Sequence, residues 1–141
     1  MKKLLFGVSL AGMLATANIA LADTWQSDLS GTWTLSLNVF PNITTLVIDP
    51  YTASPQGTDC QGIKGTMFGS DAITGFYCLK SGRIYFVRNN AGKIIQAWSG
   101  NVSQVPNPQF GQKLQMSGTF AIVVPVGNDT YGEYNFHAVK Q

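Results

Sequence analysis

The sequence is poor in the residue types on which catalysis and metal binding depend. It contains one histidine, His137, two cysteines, and a fraction of charged residues of only 11%. It has no CxxC spacing of the kind that holds zinc, no phosphate-binding glycine loop and no nucleophile motif. Asp129 and Glu133 are close in sequence, but solvated carboxylates are normal at a turn and at a strand start. We therefore predict that the protein is not an enzyme and uses neither a cofactor nor a metal ion.

The sequence also lacks a cluster of positive charge. Its formal net charge of +2 comes from Lys2 and Lys3, because the rest of the chain has equal numbers of basic and acidic residues. The other basic residues are scattered, whereas binding to phosphate groups needs a clustered basic face. We predict no nucleic-acid partner and no attraction to an anionic membrane.

Residues 1–22 have the three-part pattern of a secretory signal peptide. Lys2 and Lys3 precede an uncharged apolar stretch over 4–19, and Ala20-Leu21-Ala22 forms a small-x-small cleavage site before Asp23. The apolar stretch is too short for a stable membrane anchor. The sequence thus predicts a signal peptide over 1–22, one domain over 23–141, and a periplasmic or secreted bacterial protein.

The two cysteines, Cys60 and Cys78, both lie in the predicted mature domain. An even number of cysteines in an exported chain favours a disulfide, and two free buried thiols are the alternative. A bond between them closes a loop of about 19 residues, for which chain entropy assigns about 3 kcal/mol of stabilisation.

Period-2 alternation of apolar and polar residues recurs along the mature chain, and no long helical period occurs. In the clearest segment, Trp33, Leu35 and Leu37 alternate with threonine and serine, as in a strand with one buried face. Strands are predicted over 30–39, 44–48, 63–68, 72–79, 83–88, 94–102, 114–124 and 131–140, and a long loop over 49–61. Such a series indicates an all-β, eight-stranded antiparallel up-and-down β-barrel, with a two-sheet sandwich as the alternative.

The alternation also predicts which side chains face the interior of the barrel. The candidate ligand-binding set is Trp33, Leu35, Met67, Tyr77, Phe86, Gln96, Trp98, Phe120 and Tyr134, with Leu37, Met116 and Phe136 on the same faces. An eight-stranded barrel either holds one small ligand or is filled by its own side chains. The first outcome predicts a small, mostly apolar ligand, and the second a protein-interaction module. Ile95, Val123 and Val139 are predicted on outer faces, as candidate contacts in a homo-oligomer.

Several short motifs give the chain a resemblance to a known family. In order they are Ser30-Gly31-Thr32-Trp33, Gly65-Thr66, Thr74-Gly75-Phe76-Tyr77, Arg88-Asn89-Asn90, Trp98-Ser99-Gly100, Gly132 and Phe136. Their types and order resemble the avidin and streptavidin family more than the lipocalins. The resemblance implies an eight-stranded barrel with a ligand site inside its mouth.

The chain departs from that family at the positions that contact biotin. Those positions correspond to Leu35, Val39, Met67, Gly69, Val87, Ile94, Gln96, Phe120 and Tyr134. Only Gln96 and Tyr134 can form hydrogen bonds, and each polar group left unpaired in a dry site costs about 1–3 kcal/mol. The expected protein is an avidin-like barrel that does not bind biotin tightly.

Overall fold

The computed structural model describes residues 25–50, 59–103 and 113–141, and these segments form eight strands. The strands are β1 (Gly31–Leu37), β2 (Ile43–Ile48), β3 (Cys60–Met67), β4 (Asp71–Cys78), β5 (Arg83–Asn90), β6 (Lys93–Val102), β7 (Gln115–Ile122) and β8 (Gly132–Lys140). All eight predicted strands are present. None of these segments contains a helix long and apolar enough to span a membrane. The predicted signal peptide lies outside the described residues.

The strands close into an antiparallel barrel in which each strand pairs with the next one along the chain. Closure is made by β1 and β8, where Trp33 lies opposite Lys140 and Leu37 lies opposite Phe136. The sandwich alternative is therefore wrong, and the barrel leaves no sheet edge unpaired. Because the chain runs up and down, the β1–β2, β3–β4, β5–β6 and β7–β8 connections share one end, called the mouth here.

The first residues of β3 differ from the prediction. The sequence predicts a loop through Gln61, but β3 begins at Cys60, with Gln61 opposite Tyr77. Cys60 lies directly opposite Cys78, and the two form the predicted disulfide. Polar Gln61 and Gly62 have the composition of a loop, and their pairing with β4 overrides that local preference.

A bulge in the β5–β6 hairpin changes the position predicted for Ile95. The hairpin turns through Ala91 and Gly92, which both have positive φ, 47° and 79°, as two-residue hairpin loops require. The pairing register then shifts between Arg88 and Asn89, so Ile95 has no direct partner on β5. Its side chain is buried, and the prediction of an exposed outer-face residue is wrong for Ile95.

The end opposite the mouth is closed by the segment before β1. Leu29 is buried in the core and its carbonyl accepts a hydrogen bond from the Trp33 indole N–H at 3.0 Å. The Gln61 amide donates to the Ser27 carbonyl at 2.7 Å, which holds the segment across the barrel end. Trp25 packs on Gly82, where a Cβ would collide with its ring. Access to the interior is therefore restricted at this end.

Candidate ligand pocket at the barrel mouth

Stacked aromatic rings fill the middle of the barrel. Phe86, Trp98, Phe120 and Tyr134 lie directly opposite one another on β5, β6, β7 and β8. The Trp98 and Phe120 ring centroids are 4.2 Å apart and the planes are 11° from parallel, while Phe136 meets Trp98 edge-on. Gly100, which lies opposite Gly118 on β7, leaves space for the Phe136 ring, and a Cβ on Gly118 would collide with the backbone of Ser99 and Gly100. The ring stack forms the floor beneath the mouth.

A pocket of about 170 Å³ remains above this floor, at the mouth. Its lining residues are Leu37, Val39, Phe40, Pro41, Phe68, Arg88, Gln96, Phe120, Ile122, Val126 and Asp129. An apolar cavity of about 150 Å³ holds a benzene ring. The pocket is therefore large enough for one ring-sized group, and its walls are mostly apolar.

Gln96 places a polar group in the wall of this apolar pocket. Its side chain is 96% buried, and its Oε1 accepts a hydrogen bond from the Trp98 indole N–H at 3.2 Å. That bond fixes the orientation of the amide, because an indole N–H can only donate. The Gln96 amide nitrogen has no acceptor among the residues that the structure describes. The pocket wall therefore presents an unused hydrogen-bond donor.

Arg88 forms a second polar part of the pocket, but its charge is already compensated. Its Nε donates to Asp71 Oδ2 at 2.8 Å, and the Asn90 amide donates to Asp71 Oδ1 at 2.8 Å. The guanidinium also lies 3.9 Å from the centre of the Phe68 ring. Phe68 has a positive φ of 51° in the β3–β4 turn. The turn conformation and the contact with Arg88 together keep the Phe68 ring in the wall of the mouth pocket.

The structure separates the predicted ligand residues into two groups. Gln96 and Phe120 line the mouth pocket. The buried core contains Trp33, Leu35, Met67, Tyr77, Phe86 and Trp98, with Met116 and Phe136, and Leu37 and Phe120 belong both to the core and to the pocket lining. All of these side chains face the interior, as alternation predicts, but the core members are packed against one another. The mouth pocket therefore lies above the packed core and not at the centre of the barrel.

Tyr134 belongs to the ring stack but does not line the pocket. It is half-buried, and its hydroxyl lies 3.1 Å from the Thr130 hydroxyl and donates to the Thr130 carbonyl at 3.3 Å. These contacts pack the β7–β8 loop against β8. Tyr134 is therefore a support for the loop that carries Val126 and Asp129.

Two positions matched to the avidin family fall outside the interior. Val87 lies between Phe86, which is in the core, and Arg88, which lines the mouth, so alternation places Val87 on the outer wall. Ile94 is exposed beside the β5–β6 turn. The one-to-one carry-over of ligand positions therefore does not place Val87 and Ile94 inside the barrel. At Ile94 the bulge breaks the alternation, whereas Val87 lies in regular pairing with β4 and β6.

Tyr77 is a fully buried phenol at the closed end of the interior. Its hydroxyl has no hydrogen-bond partner in the described segments, and burial raises its pKa to about 12. Because the folded-state pKa exceeds the ordinary value of 10.0, the wild type loses stability as the pH rises from about 10 to 12. Below that range the stability contribution is fully present.

We expect Tyr77→Phe to raise the free energy of unfolding by about 1 kcal/mol, since it removes an unsatisfied hydroxyl without changing the ring. Urea unfolding at neutral pH measures the gain, and Tyr85→Phe on the outer wall is the matched control. The fall in stability between pH 10 and 12 is expected to be smaller in Tyr77→Phe than in wild type. A loss of stability in Tyr77→Phe would contradict the assignment of the hydroxyl as unpaired.

His137 lies on the outer wall, as the sequence predicts. It is exposed, and its Nε2 is 3.2 Å from the Gln115 side-chain oxygen. Within residues 25–50, 59–103 and 113–141, no three histidine, cysteine, aspartate or glutamate side chains are grouped as metal ligands.

The mouth contains residues that the sequence did not single out. Phe40, Phe68 and Val126 come from three separate connections, and their positions in the sequence carry no periodic signal. Asp129, interpreted from the sequence as a solvated carboxylate, also lines the pocket. The only local signal at the mouth is the Arg88-Asn89-Asn90 motif, and it does not identify Asp71 as the partner of Arg88.

No protein-family model matches the chain, and no curated protein sequence matches it.

Proposed function

We propose that this protein is an exported, non-catalytic binding protein that holds a small, mostly apolar ligand at the mouth of its barrel. The observation that carries the proposal is the unused amide donor of Gln96 in the wall of a mostly apolar pocket, whose other polar lining residues are Arg88 and Asp129. An apolar ligand in the pocket excludes water from this donor, and a ligand acceptor placed there replaces the water, for a net gain of about 0.5–1.5 kcal/mol. An avidin-like origin and a periplasmic or secreted location belong to the same proposal, and the disulfide is compatible with export.

The pocket specifies the chemistry of the ligand. Phe40, Phe68 and Phe120 offer apolar faces, so a flat ring is the group that fits best. The free amide N–H of Gln96 favours a neutral hydrogen-bond acceptor, such as a carbonyl oxygen attached to that ring. Because the Arg88 guanidinium is already paired with the Asp71 carboxylate, it does not require a negative charge on the ligand. The proposed ligand class is therefore a small aromatic carbonyl compound, and the polar ureido group of biotin lacks the set of partners that it needs.

We expect the wild type to bind acetophenone more tightly than α-methylstyrene, which has the same shape with a methylene in place of the carbonyl oxygen. One neutral hydrogen bond corresponds to a preference of about three- to tenfold. Gln96→Leu is expected to abolish this preference while keeping weak binding of both compounds. Ligand-observed NMR titration of the purified protein measures the four affinities.

Gln61→Leu is the matched control for that titration. It makes the same chemical change at the other buried glutamine, on β3 at the closed end. Thermal melting of both variants separates a loss of fold from a loss of binding. The proposal fails if the wild type binds neither compound, or if Gln96→Leu retains the preference for the carbonyl compound.

The packed interior favours a second candidate function. Because the ring stack fills the barrel, the protein can also serve as a rigid module that binds another protein through its surface, with no small ligand. Native mass spectrometry of the exported protein distinguishes the two functions. A bound small mass supports the ligand-binding function, and a bare chain that carries a protein partner supports the module. Self-association through exposed Val123 and half-buried Val139 stays a prediction.

A further inference from the structure

The mouth of the barrel carries a group of exposed apolar side chains. Among the described residues, nine large apolar or aromatic side chains are exposed. Two of them, Phe76 and Tyr85, stack on each other on the outer wall. The other seven lie at the mouth, two of them within 40–43, one at Ile94 and four within 123–131. Such clustering marks an interaction surface rather than the usual scatter of single exposed residues.

These seven side chains form an arc around the pocket. The β5–β6, β7–β8 and β1–β2 connections follow one another around the barrel, because β6 pairs with β7 and β8 pairs with β1. Phe40 and Val126 belong both to this arc and to the pocket lining, so the apolar surface continues from the rim into the pocket. The most exposed members are Phe40 at 85% and Tyr131 at 74%.

The chemistry of the arc fits a lipid surface. The apolar side chains come from separate loop tips with Asn42, Asn128 and Thr130 between them, whereas a protein interface needs a contiguous packed core. A fluid bilayer accommodates separated side chains, and tyrosine is favoured at its interface. The charges at the mouth are of both signs, with Lys93 exposed beside Ile94, Asp129 half-buried in the β7–β8 connection, and Arg88 paired with Asp71, which suits a zwitterionic surface. The arc has no cluster of cations that would require anionic lipid.

We propose that the mouth docks reversibly on a zwitterionic lipid bilayer, with the apolar arc in the interface and the pocket facing the lipid. This inference rests on the proposed function in one respect, since an apolar ligand then passes between the lipid and the pocket without crossing water. Docking by side chains of this size is shallow, as for other interfacial proteins, and differs from stable anchoring.

The test is flotation of the exported protein with phosphatidylcholine–phosphatidylethanolamine vesicles. The wild type is expected to float with the vesicles, and raised salt is expected to change the bound fraction little. The double variant Ile43→Ser/Tyr131→Ser is expected to lower the partition coefficient about tenfold, since two apolar contacts are lost. The double variant Phe76→Ser/Tyr85→Ser, which removes the two exposed rings of the outer wall, is the matched control and is expected to float like the wild type.

Four outcomes decide the proposal. Absence of wild-type flotation overturns it, as does an equal loss in both double variants. Dimerisation in sedimentation experiments that Ile43→Ser/Tyr131→Ser abolishes, without flotation, identifies a second copy as the occupant and also overturns it. Flotation that is lost in Ile43→Ser/Tyr131→Ser, the rim variant, and kept in Phe76→Ser/Tyr85→Ser supports the proposal, whether or not acetophenone binds. Because neither Ile43 nor Tyr131 lines the pocket, acetophenone binding is expected to be unchanged in the rim variant, and its failure in wild type counts against the pocket alone.

Discussion

Replacing Trp98 with alanine is expected to lower the free energy of unfolding by about 3–5 kcal/mol. Trp98 is fully buried at the centre of the ring stack, between Phe86 at 5.4 Å and Phe120 at 4.2 Å. The substitution removes both stacking contacts and leaves a cavity that the rigid barrel wall cannot close. It also leaves Gln96 without the indole donor that orients its amide.

Urea unfolding of Trp98→Ala measures this loss, and Tyr85→Ala is the control because Tyr85 carries an exposed ring on the neighbouring strand. The control is expected to change stability by about 1 kcal/mol or less. Added indole is expected to raise the melting temperature of Trp98→Ala more than that of the wild type, since only the variant has a core cavity of matching shape. If Trp98→Ala does not fold, Trp98→Phe gives a smaller loss of the same sign. If Trp98→Ala had the same free energy of unfolding as the wild type, the ring stack would not be a main source of the stability of the core.

Loss of the disulfide is the second large effect, and we expect the double variant Cys60→Ser/Cys78→Ser to be less stable by about 3 kcal/mol. The two cysteines are 18 residues apart and directly opposite each other at the ends of β3 and β4. Without the bond the unfolded chain gains conformational freedom, and the first pairs of the β3–β4 ladder lose their restraint. The effect is expected on stability rather than on the pocket, because these cysteines lie at the opposite end from the mouth.

Urea unfolding with and without dithiothreitol tests this prediction. Reductant is expected to lower the unfolding midpoint of the wild type to that of the double serine variant and to leave the variant unchanged. Equal midpoints for all samples would mean that the bond does not contribute to stability. Acetophenone affinity, measured below the unfolding transition, is expected to be the same in the reduced and oxidised proteins.

The filled interior explains why a ligand site in this barrel belongs at the mouth. A barrel of eight strands has a narrow interior, and five of its inward positions carry the rings of Phe86, Trp98, Phe120, Tyr134 and Phe136. The space beneath the rim is therefore occupied, and the connections at the mouth enclose the volume that lies above the ring stack. Gln96 lies where the stack ends, since it accepts a hydrogen bond from Trp98 in the core and also lines the pocket.

Local patterns in the sequence determined the strands, their buried faces and the disulfide. Side chains alternate along a strand with a period of two, so Trp33, Leu35 and Leu37 could be placed on one face from their order alone. The same patterns failed at Ile95 and at the start of β3. There, a bulge and a pairing with β4 depend on the neighbouring strand and not on the segment itself.

Only the tertiary structure decided that the strands close into a barrel and that free volume lies at the mouth. The pocket joins Phe40, Phe68, Arg88 and Val126, which are distant in sequence and lie on or next to four different connections. Free volume is what remains after all the side chains have packed, so it depends on the sum of their shapes and not on any one segment. For the same reason the pairing of Arg88 with Asp71 and the unused donor of Gln96 became visible only when the strand register was known.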